Sequence, residues 1–290
     1  MRERTLGALI IVPVVAIAVV GGGLGVGLLV VVLAVLGAGE AERLLVAAGR
    51  PPIGGGVVAG ALALAGWAAL PAVLGSHLLG RPAAWLELAA RLEAVDRLAL
   101  VGVVVVGLAV VAVARRDPLD GFAAWWATAC GAVYVGLLGA AASLSVAPAG
   151  PATDPAWGER RWILVLLAGV WAFDSGAYLV GRAVGRRPFF PWISPLKTLE
   201  GVLGGLVTAT LGVGTVLVIS GEPWWEAIVL GPLLGVAAQA GDLAESLLKR
   251  AAGAKDSGRL IPGHGGVLDR VDSVLFAAPV LVAYVGLFHG

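Results

Sequence analysis

Cysteine is almost absent from this sequence. Cys130 stands alone, so no disulfide can form within the chain, and inside an apolar run it reads as a small packing residue. Charge is scarce as well, at 13% of 290 residues, and nearly balanced at a formal net +1. Such a total says little about partners, and no nucleic acid is expected among them. In place of charge the chain has Ala, Val, Leu and Gly: 59% of its residues are hydrophobic, 44 are glycine, and mean hydropathy is +0.95. Those values place it in the membrane class, and the expected fold is all-α, a polytopic integral membrane protein.

Crossing ~30 Å of hydrocarbon takes about 20 mainly apolar residues. Nine segments qualify, near 5–21, 23–38, 54–75, 97–114, 122–146, 161–181, 200–219, 224–248 and 272–288. With the N-terminus in the cytoplasm and the C-terminus outside, fifteen of the twenty Lys and Arg residues face inside. Arg81, Arg91, Arg97, Arg160 and Arg161 are left outside, and the reverse orientation would invert the ratio. "MRER" ahead of an apolar run and Ala16-Ile17-Ala18 resemble a signal peptide, but the run continues past those alanines with no polar start behind it. Trp125, Trp126, Trp162, Trp224 and Trp225 fall at span ends, where interfacial anchors belong.

Residues 1–150 read as helices for packing and lipid contact with no legible chemistry, and their small residues suit close helix approach, which permits a homodimer. Within them, 84–97 space Trp85, Leu88, Leu92 and Val95 on one face, as in a short amphipathic surface helix. Residues 151–290 form the candidate catalytic region, with polar residues at helix ends expected on the cytoplasmic side. No convincing internal repeat relates the halves, which counts against an inverted-repeat transporter.

Three polar clusters stand out. In "WAFDSGAYLVGR", Asp174 lies roughly 10 Å inside the membrane edge, a depth at which an ionisable residue faces a bundle interior or a wet cavity. In "RRPFFPWISPLKTLEG", Pro188, Pro191 and Pro195 forbid a continuous helix until Ser194 and Pro195, which read as N-cap and first helical residue. The amides of that helix start, with Lys197 and Thr198, would make an anion site. The third cluster joins "GDLAESLLKR" to "KDSGRLIPGHGGVLDRVDS". Asp242, Glu245 and Lys249 recur at helical spacing with Ser246 beside them, Asp242 about 27 Å along its helix, and Asp269 and Asp272 repeat the acid pair.

Carboxylates at two helix ends offer the oxygen ligands of a hard cation such as Mg²⁺, which shares its shell with phosphates. Asp242 and Asp269 have no basic partner near them in sequence that would explain both as ion pairs. Lys255, Arg259 and Arg270 supply positive charge, and Gly263, Gly265 and Gly266 around His264 give a backbone that phosphate can approach. Acids for a metal, bases for phosphate and a glycine cradle together describe phosphoryl or nucleotidyl transfer.

The run Ser246-Leu-Leu-Lys249-Arg250, four residues, Lys255-Asp256, then Pro262-Gly-His264-Gly265-Gly266, two residues, Asp269-Arg270, one residue, Asp272 resembles the signature of the phosphatidate cytidylyltransferase family, also called CDP-diacylglycerol synthases. The resemblance takes in "DSGAYLVGR" and "ISPLKTLEGVLGG", so it spans about residues 170–273. One departure is Leu196, where the family commonly has the first of two lysines; Lys197 remains. The resemblance implies transfer of CMP from CTP to phosphatidic acid with Mg²⁺, in a bacterial-type inner membrane with the site facing the cytoplasm. It implies metal binding by Asp242 and Asp269 with Asp272 and Asp174 near, room for a second cation, and phosphate binding by Lys197, Lys249, Arg250, Lys255, Arg259 and Arg270. His264 is expected to bond a phosphate or the departing pyrophosphate. Two rivals are a CTP-dependent lipid or polyprenol kinase, whose signature should differ, and a transporter of an anionic solute.

Overall fold

A computed structural model describes residues 2–76, 79, 82–93, 97–147, 158–260 and 265–289, the side chains of 2–10, 93, 97 and 159 excepted. All nine apolar segments are helical. In chain order the helices are α1 (Arg2–Val20), α2 (Gly22–Ala47), α3 (Gly56–Leu74), α4 (Ala83–Glu93), α5 (Arg97–Val113), α6 (Pro118–Gly136), α7 (Gly139–Ser143), α8 (Arg161–Val184), α9 (Leu199–Ser220), α10 (Ala227–Ala251) and α11 (Leu268–Phe288). Among the described residues there is no strand, only one antiparallel bridge between Pro188 and Thr198. Among the described residues seven stretches are long and apolar enough to cross a membrane, α6 and α7 counting as one, while Leu98–Val113 is apolar but shorter. The protein is a multi-pass, all-α membrane protein.

Contacts divide the chain into two units. The first comprises residues 1–146 and 248–271, the second 147–247 and 272–290. The polar loop after α10 groups with the N-terminal helices.

Small residues build both units. In the first, a Cβ at Gly60 would strike Ala132 and one at Gly139 would strike the Ala65 backbone, so α3 packs on α6 and α7 at a distance only glycine allows. In the second, α8 lies along α9. A Cβ at Gly176 would strike Thr208, one at Gly205 would strike the Phe173 ring and carbonyl, and the Thr208 hydroxyl donates across the pair to the Ala172 carbonyl at 2.7 Å. Gly231 sets α10 against the Thr210 backbone, and Gly241 sets it against the Asp272 carbonyl of α11. The low sequence complexity is thus a packing code.

Several readings of single residues change. Cys130 is exposed on α6 and does not pack inside. Trp126, Trp224 and Trp225 are 58%, 63% and 57% exposed, as anchors should be, but Trp162 is fully buried. Its ring lies under the Arg161 guanidinium and against His289, and Arg161, expected in an outer loop, is itself buried and paired with Glu222 at 3.2 Å. An unpaired buried guanidinium would be costly, so the indole and carboxylate are drawn in with it. Trp125 donates to the Val105 carbonyl at 2.9 Å, tying α6 to α5. The amphipathic helix forms as α4, with Ala89 buried and Trp85 and Leu88 exposed; Val95 lies outside the described residues.

If glycine sets the α8–α9 distance, Gly205→Leu should overpack the pair and lower stability by roughly 1–3 kcal/mol. Gly102→Leu on α5, where a Cβ meets open space, should not. Thermal unfolding in detergent checks this, and equal midpoints for both variants would refute close packing of α8 on α9.

Candidate active site

α10 and α11 end and begin at the polar loop, and in the first unit that loop closes around two carboxylates. Asp269, in the first turn of α11, accepts the Lys249 ammonium on Oδ1 at 2.6 Å. Its Oδ2 accepts three donors: the Ser257 amide at 2.9 Å, the Ser257 hydroxyl at 2.9 Å and the Gly266 amide at 2.8 Å. The pair is nearly closed to solvent, with side-chain exposures of 12% for Lys249 and 6% for Asp269.

Beneath it sits a residue that sequence reasoning missed. Glu40, 2% exposed on α2, accepts the Val267 amide at 3.1 Å, the Leu268 amide at 2.8 Å and the Ser257 hydroxyl at 2.9 Å. Its charge therefore caps the start of α11, where unpaired amides and the helix dipole favour an anion. Ser257 Oγ has one proton for two carboxylates, so it serves Glu40 and Asp269 in alternation while accepting from the Asp269 amide at 3.3 Å. Glycine is required here twice over. Gly265 has φ +81°, and at Gly266 a Cβ would collide with the Ser257 hydroxyl and the Glu40 carboxylate. The missed signal was an acid late in an apolar helix, close before Glu42 and Arg43, at a depth where an ionisable residue calls for a partner.

Around this closed hub the bases are open. Arg250, Lys255, Arg259 and Arg270 are exposed, and Arg250 donates to the Ala254 carbonyl at 3.2 Å, helping to end α10. His264, with Pro262 and Gly263, lies outside the described residues.

In the second unit, Lys197 pairs with Asp242 Oδ2 at 2.6 Å, and the Ser246 hydroxyl lies 3.3 Å from Asp242 Oδ1. This pair is more open, with side-chain exposures of 20% and 32%. Asp174 is exposed on α8, and Asp272 accepts the Ser273 amide at 2.7 Å. Glu245, between Asp242 and Lys249 in sequence, is fully buried and belongs to the core side of α10.

Two readings are corrected by these contacts. Asp242 and Asp269 do have basic partners, Lys197 and Lys249, each brought from 45 and 20 residues away by the fold. And Ser194 does not cap α9. Thr198 does, accepting the Gly201 amide at 3.2 Å, because the bridge to Pro188 holds Thr198 extended at φ −126° and ψ 152° and delays the helix to Leu199. Ser194 instead closes a turn, its amide bonding the Phe190 carbonyl and its carbonyl accepting from Lys197.

Losing the Glu40 carboxylate should leave two buried amides unpaired. Glu40→Ala is expected to destabilise by at least about 2 kcal/mol, and Glu40→Gln, which keeps an acceptor oxygen, by less. Unfolding midpoints in detergent measure this, and an unchanged midpoint for Glu40→Ala would remove the cap.

The chain was compared with known sequences. A sequence model described as "Cytidylyltransferase family" matches residues 2–288. A Brucella suis protein named phosphatidate cytidylyltransferase is 41% identical over 208 residues, 71% of this chain and 73% of that protein. A Bacillus subtilis protein of the same name is 46% identical over 122 residues, 41% of this chain and 45% of that one. An Escherichia coli relative, named only as uncharacterized protein YnbB, is 44% identical over 131 residues, 44% of this chain and 43% of that protein. With a match that runs from the first helix to the end of the last, this chain belongs to the cytidylyltransferase family.

Proposed function

We propose that this protein transfers the CMP moiety of CTP to phosphatidic acid, giving CDP-diacylglycerol and pyrophosphate for phospholipid synthesis. The observation that carries the reading is the hub of Asp269, Lys249 and Ser257, which fixes the loop while leaving Lys255, Arg259 and Arg270 exposed as phosphate ligands. In the reaction a phosphatidate oxygen bonds to the α-phosphorus of CTP, the bond to the bridging oxygen breaks, and pyrophosphate leaves with that electron pair. Both reactants are anionic, so positive charge must bring them together and stabilise the charge that develops on the phosphoryl oxygens. The acyl chains stay in the bilayer, which explains a site at the ends of membrane helices.

Magnesium is part of the proposal. Among the described residues no three Asp, Glu, His or Cys side chains form a ready cage. Mg²⁺ needs only one or two carboxylates beside substrate phosphates and water. Asp242 fits best: it is a third exposed and already holds a positive charge on one oxygen. Asp272 and Asp174 of the same unit are further oxygen donors, whereas Asp269 is only 6% exposed and already accepts four protein donors. When bound, the cation would supply charge neutralisation on the triphosphate. Lys197 would then be released toward a phosphate, with Ser246 as an additional ligand of substrate, and Arg250 joins the bases of the first unit.

We also place the enzyme in a bacterial-type inner membrane with CTP reaching it from the cytoplasm, on the fifteen-to-five division of basic residues. Purified protein given labelled CTP and phosphatidate should form CDP-lipid, and a product of CDP alone would mean a kinase. Sealed inverted vesicles should use added CTP and right-side-out ones should not, and excess EDTA should stop turnover. CDP-lipid made equally in both vesicle types, or in EDTA, would refute the orientation or the metal in turn.

The exposed loop bases have a stronger test. If Lys255 holds a phosphate, Lys255→Ala should lower kcat/KM by at least ~100-fold, about 2.7 kcal/mol, the effect of losing one preorganised donor. If it only fixes topology, kinetics stay unchanged, since many cytoplasmic bases remain. Steady-state rates for Lys255→Ala and Arg259→Ala in mixed micelles decide between these, and wild-type efficiency in both would remove the loop from the site.

A further inference from the structure

The connection from α8 to α9, residues 185–198, joins two apolar helices long enough to span, so both its ends lie at one membrane boundary. It is a built turn. The Phe189 amide bonds the Lys197 carbonyl at 2.8 Å, and the Leu199 amide bonds the Arg187 carbonyl at 2.9 Å. The Glu200 carboxylate accepts the Arg186 and Arg187 amides at 3.0 and 3.1 Å. At its tip Phe190 takes φ 51°, a conformation rare outside glycine, and its carbonyl accepts both the Ile193 and Ser194 amides at 3.0 Å. Strain of this kind persists where the surroundings over-determine it and marks places to look for function.

That fixed shape turns apolar groups outward. Trp192 is 73% exposed, Leu196 94% and Phe190 39%, with the Phe190 ring stacked edgewise on Phe189 at 4.7 Å and Trp192 at 5.4 Å. Arg186 and Arg187 are exposed beside them, and with Lys197 they give the turn three bases against the one Glu200 carboxylate held on its backbone amides. Amphipathic rings over basic side chains at a membrane boundary match one environment, the anionic headgroup layer.

We infer that this turn docks onto the anionic lipid surface, its Phe190, Trp192 and Leu196 side chains at headgroup depth and Arg186 and Arg187 on lipid phosphates. Lys197, on the same turn, holds Asp242 at 2.6 Å, so lipid contact and that ion pair share one rigid piece of backbone. Resting on the proposed reaction, the turn would admit phosphatidate from the bilayer surface.

Leu196→Cys in a Cys130→Ala background, carrying an environment-sensitive dye and placed in phosphatidylcholine nanodiscs with or without phosphatidylglycerol, tests the docking without using activity. The dye should be blue-shifted, quenched by lipid-borne nitroxide and shielded from iodide, more so with phosphatidylglycerol, and Arg186→Gln with Arg187→Gln should abolish the dependence on phosphatidylglycerol. Full iodide quenching with no lipid quenching overturns the proposal, as does a blue shift that appears only on raising protein concentration in detergent, which would assign the surface to a second copy. A second arm uses activity: Trp192→Ser should raise KM for bilayer-borne phosphatidate by about tenfold, kcat unchanged, and spare a water-soluble short-chain phosphatidate. Equal effects on both substrates count against docking, while loss of turnover by the unmutated enzyme would strike the reaction and leave the dye result standing.

Discussion

A carboxylate buried in a membrane helix must be given donors, and in the first unit the donors that satisfy Glu40 are the first amides of α11 and the Ser257 hydroxyl. Leaving such a charge unpaired costs several kcal/mol, so the segment that supplies the donors is held where it is. The consequences follow outward. Residues 258 and 266 must be glycine to let the carboxylate in, Ser257 is fixed between two acids, and Asp269 is presented to Lys249. Around that hub Lys255, Arg259 and Arg270 are exposed.

The two lysine–aspartate pairs share a 2.6 Å separation and differ in what they can do. Lys249 and Asp269 are nearly closed to solvent, and breaking them would strand a charge, so that pair is suited to holding the loop. Lys197 and Asp242 are a fifth and a third exposed. The Lys197 ammonium nitrogen itself is buried, so what the pair leaves open to solvent is the Asp242 carboxylate. On the proposed function, Asp242 is therefore the carboxylate better placed to meet a cation.

The helices were legible because run length and hydropathy are local quantities, and each of the nine apolar segments is a helix. What failed was everything set by distant pairing. Glu40 meets residues more than 200 positions away, and a segment ended at residue 38 put it outside the membrane where its charge drew no notice. Asp242 and Asp269 were read against near neighbours in sequence, which could not show Lys197 or Lys249. Ser194 had the local marks of an N-cap, a hydroxyl before proline, and lost to Thr198 because a bridge to Pro188 fixed the backbone there. Arg161 and Trp162 followed the interfacial rule in sequence, yet they are buried against Glu222 and His289. The signature residues around 242–272 were found because their chemistry is dense in an otherwise apolar chain.

The hub also answers an electrostatic difficulty. A site for two anionic substrates needs clustered bases, and clustered bases repel one another before the substrates arrive. In the first unit Lys249, Arg250, Lys255, Arg259 and Arg270 stand against Asp256, Asp269 and Glu40, which leaves a net of two positive charges in place of five. Asp269 and Glu40 are shielded from water and act at low effective dielectric, so each offsets more repulsion than an exposed acid would. Arg250 donates to the Ala254 carbonyl, while Asp269 and Glu40 are tied to backbone amides and to the Ser257 hydroxyl. On the proposed reaction, acids on α2 and in the first turn of α11 would let one segment be both stable when empty and attractive to a triphosphate.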